Sequence, residues 1–296
     1  MFHFLHARIV GPTSSGRAEY AFLALCVIVF IQTLACFAVR RGSAMRVFEA
    51  SSGASAAAAC LFTLLIRGTY FPRQVIGTLL MCIWGGRLSF YLFKRGAHYK
   101  QTKVNVGSRI AWSVLASLPV VVANTKQTEK YRSTLVELVC IFGCLASVFM
   151  ENRADAQKYR WFQRHDGAIP ETARPGRNST VPPVCSTGLW SLSRHVNVFF
   201  DLSFHWFLFM LLRPIEEPVI LLCPITLTLF VLLLPGGIAS QEMSRNNRFE
   251  FYPAYVQYKH DTPVLYPLQW VYEKLDVSPT FKRIVCLDLP LYDEKE

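Results

Sequence analysis

Gly188-Leu-Trp-Ser-Leu-Ser-Arg-His-Val-Asn-Val-Phe-Phe-Asp201 runs without a break into the apolar segment Leu202–Leu212. The stretch opens on a turn residue and then places Arg194, His195, Asn197 and Asp201 within eight positions. On a helix, Arg194, Asn197 and Asp201 recur at i, i+3 and i+7 and share one face. A cation, an imidazole, an amide and a carboxylate thus gather at the mouth of an apolar helix. Such groups are costly at membrane depth unless they are paired or bind something. The stretch therefore predicts a membrane helix entered through a polar mouth, and that mouth is the first candidate for a site.

The rest of the chain fits a membrane solvent. Of its 296 residues 52% are hydrophobic and only 17% charged, against about 25% charged in soluble domains. Apolar runs recur at about Tyr20–Val39, Val47–Ile66, Gln74–Phe93, Ser108–Asn124, Ser133–Met150, Val198–Leu212 and Pro218–Ile238. A bilayer core needs about 20 residues of helix. The second run is diluted by Ser51, Ser52, Gly53 and Ser55, which suits close helix–helix packing. The fourth is interrupted by Pro119, and the sixth is short. The expectation is an all-α integral membrane protein of about seven transmembrane helices, forming one domain over residues 1–296. Residues 151–187 read as a cytosolic loop and residues 241–296 as a cytosolic C-terminal tail packed on the bundle.

The formal net charge is +11. Most Lys and Arg lie on the side of the first, third and fifth loops and the tail, so the positive-inside rule makes that side cytosolic. The Arg194–Asp201 mouth then faces the compartment that supplies reduced nicotinamide cofactors and S-adenosylmethionine. Asn178-Ser-Thr180 fits a glycosylation pattern but faces the wrong side for it. No basic face interleaved with aromatics points to nucleic acid. The nine cysteines include no Cys-x-x-Cys pair and read as small buried hydrophobes, and no metal site is expected. Met1–Glu19 lacks the apolar core of a cleavable signal, so the first run is expected to stay as an anchor. Glu151–Arg164 is expected as an interfacial amphipathic helix, with Pro170, Pro175, Pro182 and Pro183 breaking any helix beyond it.

The opening stretch also carries a resemblance. Gly188, Leu189, Trp190, Ser193, Arg194, His195 and Asn197 match a Gly-Leu-Trp-x-x-Ser-Arg-His-Pro-Asn-Tyr-x-Gly-Glu signature. Asp201 replaces its Glu, and Val196, Val198 and Phe200 replace its Pro, Tyr and Gly. The signature belongs to the DUF1295 family of polytopic membrane proteins, related to steroid 5-alpha-reductases and sterol reductases and more distantly to isoprenylcysteine carboxyl methyltransferases. Other elements resemble the family more loosely: Glu49 with Gly53, Arg87 with Tyr91, and Asp155 with Gln157 and Lys158. A tail of Glu242, Tyr252, Tyr255, Thr262, Pro263 and Pro267 belongs with them.

The resemblance implies NADPH-dependent reduction of a carbon–carbon double bond in a lipid or steroid-like substrate, most naturally at the endoplasmic reticulum. Arg194, His195, Asn197, Asp201, Asp155, Lys158 and Tyr252 would hold the cofactor. Tyr91 would supply a proton, polarised through Glu49. The residues alone allow an anion clamp at the mouth: Arg194 offers a planar fork, His195 a second donor and Asn197 an amide. They allow plainer readings as well. Arg194 and His195 can anchor a span at its cytosolic end, Glu49 can pair with Arg87 as structure, and the tail tyrosines can form an interfacial belt. No Gly-x-Gly-x-x-Gly or Walker motif is present, so any nucleotide must be held by helix ends and loops. Two other functions stay open. One is an S-adenosylmethionine-dependent methyltransferase of a lipid substrate. The other is a non-catalytic seven-span protein, which the apolar Val196, Val198 and Phe200 support. The expected partners are the bilayer and an apolar substrate. Arg194 is expected at a wet helix mouth.

Overall fold

The structure is a computed structural model that describes residues 15–40, 45–95, 106–126, 135–164, 182–212, 222–233 and 237–267. Among these residues the regular structure is helical, with no strand. The helices are α1 (Ser15–Arg40), α2 (Met45–Arg67), α3 (Pro72–Arg95), α4 (Val106–Asn124), α5 (Leu135–Arg164), α6 (Val196–Leu212), α7 (Leu222–Leu233), α8 (Ile238–Phe249) and α9 (Pro253–Asp261). A short 3-10 turn, Gly188–Ser191, precedes α6.

Among the described residues, six stretches are long and apolar enough to cross a membrane: Glu19–Phe37, Ala50–Arg67, Pro72–Lys94, Val106–Asn124, Leu135–Arg164 and Leu222–Phe249. The last takes in α7 and α8 and runs over residues 234–236, which lie outside the described set. Helix α6 is apolar but has only 17 residues. The chain is thus an all-α, multi-pass membrane protein. Its helices keep large apolar side chains outward, among them Phe22, Phe30, Leu61, Leu79, Phe142 and Leu229. That is the arrangement lipid demands, because lipid tails do not drive these groups inward.

Two expectations change. Helix α4 runs unbroken through Pro119, since neighbouring helices can satisfy the backbone groups a proline frees. Helix α5 does not stop where its apolar run ends at Met150 but continues as one helix of 30 residues, about 45 Å long. Glu151-Asn-Arg-Ala-Asp-Ala-Gln-Lys158 holds no Gly or Pro, and several of its residues favour helix. The helix expected over Glu151–Arg164 is therefore present, as a continuation of α5 and not as a separate element. Residues 165–181 lie outside the described set.

The chain divides into two compact units, Met1–Leu145 with His205–Leu227 and Ala146–Phe204 with Thr228–Glu296. In the first, α2 is the hub and packs on α1, α3 and α4. Its small residues bring backbones together. A Cβ built on Gly53 would stand 2.6 Å from the Gly85 carbonyl oxygen, and one on Gly85 would stand 2.5 Å from that of Gly53. Polar side chains tie the helices where they touch. Gln32 of α1 is fully buried, accepts from the Ser51 hydroxyl at 2.9 Å and donates to Ser55 at 3.2 Å. Asn124 Nδ2 lies 3.0 Å from the Cys60 carbonyl and 3.2 Å from the hydroxyls of Thr63 and Thr78. Gln74 accepts from the Thr69 and Phe71 N–H groups and reaches the Ala123 carbonyl at 3.0 Å. Arg73 pairs with Glu137.

The Gly53–Gly85 contact yields a test. Gly53→Ala and Gly85→Ala should each destabilise the detergent-solubilised protein by about 1–3 kcal/mol through overpacking. Gly86→Ala is the control, since a Cβ there meets nothing within 4 Å and alanine is the better helix former by about 1 kcal/mol. Thermal denaturation should rank Gly86→Ala at or above the wild type and the other two below it.

Candidate functional site

The second unit forms around the polar half of α5. Glu151, Ala154 and Asp155 are buried there, at i, i+3 and i+4 on one face. The opening stretch clasps this helix. Gly188 adopts φ +67°, and a Cβ on it would come within 2.9 Å of the Gln157 amide, so glycine suits both the turn and the close approach. Gln157 Oε1 accepts from the Leu189 N–H at 2.9 Å. The Trp190 indole donates to the Ala154 carbonyl at 2.9 Å, and Lys158 Nζ lies 4.6 Å from the Trp190 ring centroid. Ala154, Cys185, Trp190 and Val196 form an apolar core, with Trp161, Leu189 and Phe200 packed against it.

The tail closes on the same stretch. The Arg194 and His195 N–H groups donate to the carbonyls of Pro263 and Val264, both at 2.9 Å. The Ser193 hydroxyl reaches the Val264 and Leu265 carbonyls at 2.9 and 2.8 Å. The Tyr258 hydroxyl donates to the Trp190 carbonyl at 2.6 Å. Tail carbonyls therefore take up backbone donors just ahead of α6, which no helical partner could satisfy.

Glu242, on α8, stands at the centre. Its carboxylate is fully buried and accepts from Arg194 Nη1, from His195 Nε2 at 2.7 Å and from Arg245 Nη1 at 3.1 Å. Arg194 Nε donates to the Thr262 carbonyl at 3.1 Å. Burial pushes the His195 pKa down to about 4, and Arg245 and Lys158 add to the shift against the opposing pull of Glu242. Burial likewise raises the Tyr258 phenol above its ordinary value.

The predicted residues separate into groups. Arg194 and His195 meet at Glu242. Asn197 Nδ2 donates to Asp155 Oδ1 at 3.3 Å, and Asp201 follows one turn later on α6, half-buried. Lys158 covers Trp190. Tyr252 is buried in a cluster with Phe249 and Tyr255, packed by Val184 and Tyr258. Arg194 is not at a wet mouth: it is 1% exposed, because its stem lies under the tail and Glu242 neutralises its head. Tyr91 lies half-buried on α3, one turn beyond Arg87, in the first unit. Glu49 lies on α2, but its side chain is outside the described set, and so is the expected Glu49–Arg87 pair.

Three participants escaped prediction as site residues: Glu242, Arg245 and Tyr258. The i, i+3 spacing of Glu242 and Arg245 is visible in the sequence, but the span of nearly fifty residues from Arg194 to Glu242 is not a readable signal. His205 was missed as well. It is buried in the first unit with its ring centroid 4.7 Å from Trp84 and 6.5 Å from Trp112, edge-on to both. A histidine inside an apolar helix is rare enough to have flagged it.

Chemically, the cluster combines a saturated carboxylate and a neutral imidazole with cations at its margin. Arg245 is 21% exposed on its side chain, and Lys158 is also partly exposed. Among the described residues no group of His, Cys, Asp and Glu suits a metal ion. The family model for a protein of unknown function, DUF1295, matches residues 36–262, and the chain belongs to that family. No curated protein and no solved structure matches it.

Two outcomes follow from the buried cluster. Arg194→Ala should destabilise the ligand-free protein by about 3–5 kcal/mol, because it leaves the Glu242 charge buried and unmatched; an unchanged melting temperature would contradict the burial. Acidification should also destabilise. The folded pKa of His195 lies below the ordinary 6.5, so the unfolded chain takes up the proton first as pH falls. The charged groups that face it are Glu242, Arg194, Arg245 and Lys158. The histidine's contribution is complete above about pH 6.5 and is lost toward pH 4, on the order of 1–2 kcal/mol by pH 5. His195→Gln should remove that part of the slope in melting temperature against pH.

Proposed function

We propose that this DUF1295 protein is a membrane-embedded, NADPH-dependent oxidoreductase that reduces a carbon–carbon double bond in a lipid or steroid-like substrate in the endoplasmic reticulum membrane. One observation carries the reading: the second unit holds a desolvated polar cluster at the head of an apolar helix, with cations at its margin. Such a frame is preorganised, and partly exposed cations beside it suit an anionic nucleotide.

The residues fit a phosphate-bearing cofactor in a way that shifts the roles. Arg194 has its Nε on Thr262 and its Nη1 on Glu242, so it builds the frame. Arg245 and Lys158 are better placed to meet phosphate, as a fork and a point charge. Asn197 and Asp155, already bonded to each other, offer polar groups for ribose or amide. Tyr252 supports the tail from within its aromatic cluster. When bound, NADPH would supply the hydride, and the protein supplies binding, orientation and a proton. Tyr91, with Glu49, remains the proposed proton source.

The non-catalytic reading has one observation in its favour. Val196 is fully buried, and Phe200 packs on the Trp190 core, so two departures from the family signature serve as packing. A methyl transfer from S-adenosylmethionine draws on the same cluster and is separated by ligand identity alone.

Millimolar NADPH should raise the melting temperature of the purified protein, since a ligand that binds only the folded state must do so. Arg245→Ala should lower NADPH affinity by about 1.5–3 kcal/mol and Asn197→Ala by about 1 kcal/mol. Stabilisation by S-adenosylmethionine in place of NADPH would move the protein to the methyltransferases. No response to either ligand would leave the non-catalytic reading.

A further inference from the structure

Resting on that reading, we infer that Glu242 is a positioning residue. It fixes the His195 proton on Nε2, so the signature histidine meets its ligand through the Nδ1 lone pair. His195 then accepts a hydrogen bond from a carboxamide or hydroxyl group of the nucleotide and does not donate to its phosphates.

The geometry around Glu242 leaves little choice. Oε1 lies 2.7 Å from His195 Nε2 and 3.1 Å from Arg245 Nη1, while Oε2 takes Arg194 Nη1. A carboxylate flanked by two guanidinium groups has no proton to give, so the short contact to Nε2 needs the hydrogen on the ring. With the proton on Nδ1, two lone pairs would face each other at 2.7 Å inside a buried site. Arg245 Nη1 also stands 3.4 Å from His195 Nε2. Since both atoms carry hydrogens directed at the same oxygen, this separation is the spacing of two donors rather than a third bond.

The ring is held from behind too. The His195 N–H donates to the Val264 carbonyl at 2.9 Å, and the Arg194 N–H to Pro263 at 2.9 Å. Turning the imidazole over would lose the Glu242 bond with no backbone freedom to compensate. The ring's one donor is therefore spent inside the protein, and its free chemistry is that of an acceptor. Charge recognition passes to Arg245 and Lys158, while His195 selects a neutral N–H or O–H. The dihydronicotinamide carboxamide and the ribose hydroxyls carry such groups.

The test uses full-length protein in detergent, labelled with nitrogen-15 in its histidines. Long-range nitrogen–proton spectra at pH 7.5 distinguish a protonated from a bare ring nitrogen, and the signal missing in His195→Gln identifies His195. The expected pattern is a protonated Nε2 with a bare Nδ1; the reverse pattern overturns the inference. Affinity supplies a second arm. In His195→Gln the amide nitrogen takes the place of Nε2 and keeps the Glu242 bond, so the ligand-free melting temperature at pH 7.5 should stay near wild type. NADPH should bind this variant about tenfold more weakly. His195→Asn keeps a polar atom near the Nδ1 position but gives up the Glu242 bond, so it should lose stability instead. Equal NADPH affinity for His195→Gln and wild type would overturn the ligand half of the inference. Failure of NADPH to stabilise the wild type would sink the reductase reading and that ligand half together, while the spectrum would still decide the tautomer.

Discussion

A carboxylate with no access to water must be surrounded by donors, and the second unit is arranged around meeting that demand for Glu242. Burying a charge is unfavourable unless it is both paired and hydrogen-bonded. Arg194 and His195 come from the stretch ahead of α6, and Arg245 comes from the next turn of α8. The pairing fixes where the tail lies. Once α8 is placed, the chain through α9 can deliver the Thr262, Pro263, Val264 and Leu265 carbonyls to Arg194, His195 and Ser193. Those carbonyls take up donors that a helix start leaves open. Charge, backbone accounting and chain direction therefore agree, as they do where a local structure is uniquely specified.

The first unit solves a different problem with different means. Its helices lie against lipid and gain nothing from burying leucine, so close backbone approach and polar cross-links hold them. Gly53 against Gly85 gives the approach. Gln32, Gln74 and Asn124 give the links, each side chain serving more than one helix or loop. A buried amide suits this because it offers donors and an acceptor without a charge to neutralise.

The contrast accounts for what the sequence disclosed. Apolar runs of membrane length report directly on the solvent, so the spans were legible, and the serine and glycine dilution of the second run correctly marked a helix interface. Pro119 misled because a breaker in water is tolerated among packed helices. The single helix α5 was read as two, a span and a helix beyond it, because hydropathy falls at Met150 whereas helix propensity does not. The polar signature was legible as an exceptional stretch but not as a buried one. Nothing in Arg194 and His195 themselves says whether a carboxylate will arrive from nearly fifty residues away. Glu242 was visible as a residue, but its partners are a property of tertiary structure.

The signature should accordingly be read as two layers. The Leu189 N–H, Trp190, Ser193, Arg194 and the N–H group of His195 form a frame, since each is tied to α5 or to the tail by hydrogen bonds within the protein. On the function and the inference proposed above, Asn197, Asp201 and the Nδ1 side of the buried His195 ring form the presented layer, with Lys158 and Arg245 supplied by neighbouring helices. Substitutions in the frame should act on stability first, whereas on the proposed function those in the presented layer should act on binding. Val196 and Phe200 fall between the two. They stand where the family pattern has Pro and Gly, and they pack into the core that Ala154, Cys185 and Trp190 form. Larger apolar groups there reinforce the frame without touching the donors around Glu242. The departures from the family pattern therefore bear on the room left for a ligand, and they leave intact the machinery that holds the tail in place.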